Sequence, residues 1–155
     1  MIEITENLLY SGLFTTSWNN LYSILKTIND PESRDNVKWI FSAYPDKLFD
    51  DKDAYPIMII HPFDMSRYDV WTMGTSPEKQ ITLPVQIDIF TLKTLQIDEV
   101  MDDIFKKLED SEGNLHSNFM TNMGVLRSSY SNFERGGMKI HMKSIAYGFK
   151  FNFSV

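Results

Sequence analysis

The residues best able to do acid–base or metal chemistry in this 155-residue chain are three histidines, His61, His116 and His141, and 21 carboxylates. The histidines fit no short metal-ligand spacing, such as two His four apart on one helix face. Each therefore reads as structural or solvated. His61, set between Ile57-Met58-Ile59-Ile60 and Pro62, is expected to be hydrogen-bonded in place. The acidic pairs Asp98-Glu99 and Asp102-Asp103 fall on the polar side of a helical pattern and read as its solvated face. A nuclease-like set could be assembled from Asp46, Asp88 and Glu78-Lys79, with Asp88 on the polar face of a strand. There the Glu-Lys pair precedes the strand instead of lying on it, and the acidic net charge opposes a DNA substrate. No Ser sits in a Gly-x-Ser-x-Gly elbow. Gly136-Gly137 lacks the Lys and Ser or Thr of a phosphate loop. Without Cys, thiolate chemistry, thiolate zinc sites and disulfides are excluded. The chain reads as a non-enzyme with no catalytic residue, metal site or cofactor. The distant alternative is a small metal-dependent hydrolase or nuclease using Asp88.

The elements that would position these residues centre on residues 80–108. Ile81, Leu83, Val85, Ile87 and Ile89 alternate with polar positions, the period of a strand with one apolar face. Ile97, Val100, Met101, Ile104, Phe105 and Leu108 then recur at steps of three and four, which predicts a helix folding back onto that strand. Upstream, Trp18, Leu21, Tyr22, Leu25 and Ile28 predict a first helix, with Thr15, Thr16 or Ser17 as its cap, stopped by Asn29-Asp30-Pro31. Residues 37–43 and 55–60 predict two strands, the second buried on both sides. Residues 46–53 form a charged loop. Residues 61–80 predict a long loop or hairpin arm carrying Tyr68, Trp71 and Met73. Residues 115–123 read as irregular and 125–133 as a strand, followed by a glycine turn and a long final strand over 139–155. In that strand Ile145, Tyr147, Phe149, Phe151, Phe153 and Val155 share one parity, while Ile140 and Met142 have the other. The mismatch predicts a β-bulge, or a change of strand partners, at residues 142–144. The expected architecture is one α+β domain over residues 1–155. It has a mostly antiparallel sheet of about four to six strands, two main helices on one face, and an extended hairpin arm or long loop at about 61–80.

Net charge is −6 and the pI is near 5.0, without the overall basic character of a dedicated nucleic-acid binder. The most basic stretch, residues 139–143, alternates Lys-Ile-His-Met-Lys and reads as a strand. The longest aliphatic run has four residues, against the roughly 20 a membrane span needs. The first residues carry no positive charge ahead of their apolar ones and do not resemble a signal peptide.

Three features together carry a resemblance. Trp39-Ile-Phe-Ser-Ala-Tyr44-Pro45 is followed by a second Tyr-Pro opening an aliphatic strand, Tyr55-Pro-Ile-Met-Ile-Ile60. A variable arm, the alternating strand and the amphipathic helix come next. Arg135-Gly-Gly then turns into a long aromatic C-terminal strand. Over residues 37–155 this resembles the tail terminator, or tail completion, proteins of long-tailed bacteriophages. The resemblance implies a structural virion protein at the neck, assembled in the host cytoplasm. It would form a ring, commonly a hexamer, that caps the head-proximal end of the tail tube and meets the head connector or stopper. Tail-tube protein, the connector and further copies of the chain are the implied partners, and phage DNA would pass through without specific binding. Another neck component, a head–tail connector or stopper, is the nearest alternative. On this reading Arg67, Tyr68, Trp71 and Met73 are the expected subunit interface, and Asp46, Asp50, Asp51 and Asp53 would line an acidic lumen that repels DNA.

Overall fold

In the computed structural model, which describes residues 13–63, 69–72, 78–117 and 120–154, alternation and helical spacing both become packed structure. The central strand, β4 (Glu78–Thr91), turns through Leu92 and Lys93 into α2 (Thr94–Asp110). Helix α1 (Leu13–Leu25) precedes β1 (Ile40–Phe41), β2 (Ile57–Phe63) and β3 (Asp69–Thr72). After α2 come a short α3 (Glu112–Ser117), β5 (Thr121–Arg135) and β6 (Met138–Ser154). The fold is α+β. Its six-stranded sheet runs β1-β2-β4-β6-β5, with β3 also paired to β4. Among the described residues only the β1–β2 pair is parallel.

Strands β2 and β3 lie end to end along the same side of β4. Ile57 to Phe63 pair with Phe90 to Val85, and Asp69 to Thr72 pair with Thr82 to Lys79. The expected arm is thus partly sheet: β3 and the first half of β4 are antiparallel, and the end of β6 pairs along the other side of β4 out to Glu78 opposite Ser154.

Both helices cover one face. Leu21, Ile24, Leu25 and Ile28 from the α1 region and Val100, Ile104 and Leu108 from α2 bury Ile81 to Ile89 of β4 with Ile145, Tyr147, Phe149 and Phe151 of β6. Part of the second face is covered by the loop 46–55, which contains two 3-10 turns, Leu48–Asp50 and Lys52–Ala54. Phe49, Ala54 and Tyr55 pack there on Ile57, Ile59, Phe90 and Ile140. Residues Ile57 to Ile60 are fully buried because alternate side chains enter the two clusters, the two-sided burial that their unbroken apolar run predicts.

The bulge expected at residues 142–144 is absent. Strand β6 holds one register against β4 from His141 to Ser154, and keeps the same two partners across the region. The parity changes because the cover changes: Ile140 and Met142 face the 46–55 loop, while Ile145 onward face the helices. The irregularities lie instead in β5, between Asn122 and Val125 and between Val125 and Arg127, where Gly124 has φ +82°. At the β5–β6 turn Gly136 and Gly137 have φ of +59° and +81°, the two positive values of a tight hairpin turn.

Three smaller expectations also change. The strand over 37–43 shortens to Ile40–Phe41. Of residues 115–123, expected to be irregular, 115–117 end α3 and 121–123 begin β5, while 118–119 lie outside the described residues. Thr15, Thr16 and Ser17 lie inside α1, so none of them caps it.

Candidate functional site

Strand β4 presents its odd-numbered aliphatics to the helices, which leaves Gln86 and Asp88 on the second face. Asp88 is fully buried there and accepts from four side chains. Its Oδ2 lies 2.7 Å from His61 Nε2 and accepts from the Tyr44 hydroxyl at 3.3 Å. Its Oδ1 accepts from Gln86 Nε2 at 2.9 Å and from Ser144 Oγ at 2.6 Å. One carboxylate therefore ties β2, β4, β6 and the segment before the 46–55 loop. A buried charge without partners would be strongly unfavourable, and these donors offset that cost. From the other face, Trp18 Nε1 donates to the His61 carbonyl at 2.8 Å, so α1 helps to hold the same strand position. His61 is hydrogen-bonded in place, as its position between an aliphatic strand and Pro62 suggests.

The order of these groups decides what they can do. In nucleophilic hydrolysis an imidazole stands between serine and carboxylate and takes the serine proton. Here the carboxylate stands in the middle, and Ser144 directs its proton onto Asp88. Both Asp88 oxygens are occupied by donors. Tyr44 half-covers the cluster against His61, Phe49 and Phe90. Burial first, then the adjacent Asp88 charge, pushes its hydroxyl above the usual tyrosine range. The arrangement is that of a polar clamp inside the sheet. Among the described residues no three His, Asp or Glu side chains converge as a metal site.

The acidic-loop residues Asp46, Asp50, Asp51 and Asp53 are all exposed. Asp50 pairs with Arg135 at 2.7 Å, and the Asp46 carbonyl accepts from the same guanidinium. Asp51 accepts from the Asp53 N–H at the start of the second 3-10 turn. The Asp53 carbonyl accepts from Arg34, which is also paired with Asp30. Beside this loop, Glu32 bonds to Lys93 and Gln96, and these bonds lower its pKa. Of the expected interface residues, Arg67, Tyr68 and Met73 lie outside the described residues. Trp71 sits in β3 opposite Gln80.

The strand expected over residues 125–133 is present within β5, and the feature the sequence does not reveal is its exposure. Among the described residues its sheet neighbour is β6 alone, and every side chain from Val125 to Glu134 is exposed. Leu126 is 52 % exposed, Tyr130 50 % and Met123 49 %, with Val125 and Phe133 also open. Leu126 folds over Gly148, where an added Cβ would meet its methyl at 2.9 Å, yet half its surface stays in solvent. The signal available was the run Ser128-Ser-Tyr-Ser-Asn-Phe133, which has strand character but no alternation to assign it a buried face.

Comparison with protein-family models and with curated proteins gives no match. Among the described residues no helix is long and apolar enough to cross a membrane.

Proposed function

We propose that the chain is a tail terminator: a structural subunit that assembles into a ring on the head-proximal end of a phage tail tube and joins it to the head connector. The observation that carries this reading is the open edge of β5. A 15-residue strand with Met123, Leu126, Tyr130 and Phe133 in solvent serves the isolated subunit poorly and suits one that is covered on assembly. The α+β architecture, with its helices on one face and a long aromatic last strand, agrees with the family pattern. The Asp88 cluster supports a structural role, since its donors clamp strands together and Ser144 donates to a fully occupied carboxylate and not to an imidazole. The acidic loop, with Asp51 and Asp53 exposed and Asp50 offset by Arg135, is the candidate lumen surface.

The test is co-assembly. Purified protein mixed with tail-tube protein should cap one end of each tube with a ring, visible by negative-stain imaging. Tubes left uncapped, together with binding to a portal or adaptor protein, would reassign the chain to another neck position.

A further inference from the structure

Charge is divided sharply between two parts of the chain. Residues 94–117, which hold α2 and α3, carry seven carboxylates against Lys106 and Lys107, a net of −5. Residues 121–154, which hold β5 and β6, carry Glu134 alone against five cationic side chains, a net of +4. Within one subunit the two parts barely neutralise each other. Among the described residues a single ion pair joins them, Lys143 to Asp98 at 3.9 Å. Asp102 and Asp103 stand exposed on α2 with no ion pair among the described residues, and Arg127 and Lys139 do so on the β5–β6 hairpin.

The β5 edge is also unguarded. Edge strands are usually protected by charges, prolines or bulges. Residues 128–133 contain no charged residue and no proline, and the bulges fall before them. Leu126 just before this stretch, and Tyr130 and Phe133 within it, expose apolar surface.

We propose that the outer edge of β5 is covered by α2 of a second copy of this chain, laid along the strand so that the carboxylates spread along the helix from Glu99 to Asp110, with Asp102 and Asp103 among them, face Arg127 toward one end and Lys139, opposite Glu134 at the hairpin, toward the other. The occupant is a second copy because the complementary charge lies on this same chain, on a surface distinct from the edge. The contact is head-to-tail, and such contacts close into rings when the rotation allows. A helix laid along the edge also shields its unpaired backbone groups, one of the ways sheet edges are protected. This deepens the ring reading by naming the two surfaces that would meet, and it rests on that reading only for closure.

The test is charge reversal with mixing, read by sedimentation velocity at low salt. One protein carries Arg127→Glu and Lys139→Glu, the other Asp102→Lys and Asp103→Lys. All four positions are exposed, and unchanged circular dichroism and melting would confirm that both proteins fold. Each alone should self-associate about tenfold or more weakly than the parent, because like charges then face each other. A one-to-one mixture should regain association, since each reversed edge finds a reversed helix. Raising salt to 1 M, where the screening length falls to about 3 Å, should weaken the parent's association. Reversed proteins that associate as the parent does, or a mixture no better than its parts, would overturn the proposal. So would a parent that stays at 18.1 kDa at concentrations of about 1 mM. DNA binding that is lost in the Arg127 and Lys139 variant, with self-association untouched, would also overturn it by assigning the basic hairpin to nucleic acid. Tubes still capped by the reversed proteins would reject this contact and leave the terminator reading standing. Association through this contact without capping would do the reverse.

Discussion

Strands β4 and β5 flank the same partner, β6, and are almost equal in length, yet one is buried and the other open. Over its described side chains β4 has helices on one face and, at its end, the 46–55 loop on the other, so even its one aspartate is fully buried. Among the described residues β5 has one sheet neighbour, and its side chains from Val125 to Glu134 are exposed, with Phe133 meeting Phe90 edge-on and Tyr130 stacked on His141. Pairing in a sheet does not bury a side chain; covering layers do. Among the described residues the covering layers stop at β6, so the packing that stabilises the fold lies on one side of that strand and the edge proposed for assembly on the other.

Substitutions can break that comparison or sharpen it. The largest effect is expected at Ile87, fully buried in β4 against the helices. Ile87→Ala should cost about 3 kcal/mol, as large-to-small core changes do, measured by urea unfolding. Asp88→Ala should follow at about 2 kcal/mol, because Ser144, Gln86, Tyr44 and His61 lose a shared acceptor. A melting temperature equal to the parent's would show that the clamp does not hold the sheet. At the turn that joins β5 to β6, Gly136→Ala should cost about 1 kcal/mol, since φ of +59° disfavours an L side chain. Smallest is Phe133→Ser on β5, which is 38 % exposed and meets Phe90 edge-on, expected to cost less than about 1 kcal/mol in the dilute protein while weakening self-association. A large loss of stability there would mean that β5 belongs to the subunit's own core after all.

Alkaline pH offers a further contrast. Burial pushes the Tyr55 hydroxyl, which donates to the Phe49 carbonyl, up to about 12, and burial raises Tyr147 as well. Both values are raised in the folded state, so the unfolded chain loses these protons first. Stability is full below the unfolded value near 10 and falls as pH rises from there through the folded values. Unfolding monitored by circular dichroism should therefore begin above pH 10, and Tyr55→Phe should lessen the loss.

Much of the fold was legible because period and burial agree in the middle of the chain. The alternation from Ile81 to Ile89, the helical spacing from Ile97 to Leu108 and the unbroken run Ile57 to Ile60 each name their covering layers. The parity break in β6 was legible as well, but its cause was not. A strand can stay regular while its cover moves to the other face, and nothing between Met142 and Ser144 announces that the cover is a distant loop. The Asp88 clamp was half visible: Gln86 and Asp88 share a strand face by number, whereas Tyr44, His61 and Ser144 arrive only through sheet register and loop path. The open edge left almost no local trace, since solvent and a neighbouring subunit impose the same lack of alternation on Ser128 to Phe133.

The most direct measurement is amide hydrogen exchange on the dilute subunit and on the assembled protein. If β5 is an interface held open in the monomer, its outward amides over residues 128–133 and the outer side of α2 should gain protection together on assembly, while the middle of β4 stays equally protected in both. Assembly that leaves β5 exchanging as fast as in the monomer, with protection gained elsewhere, would contradict the assignment of this edge to self-association.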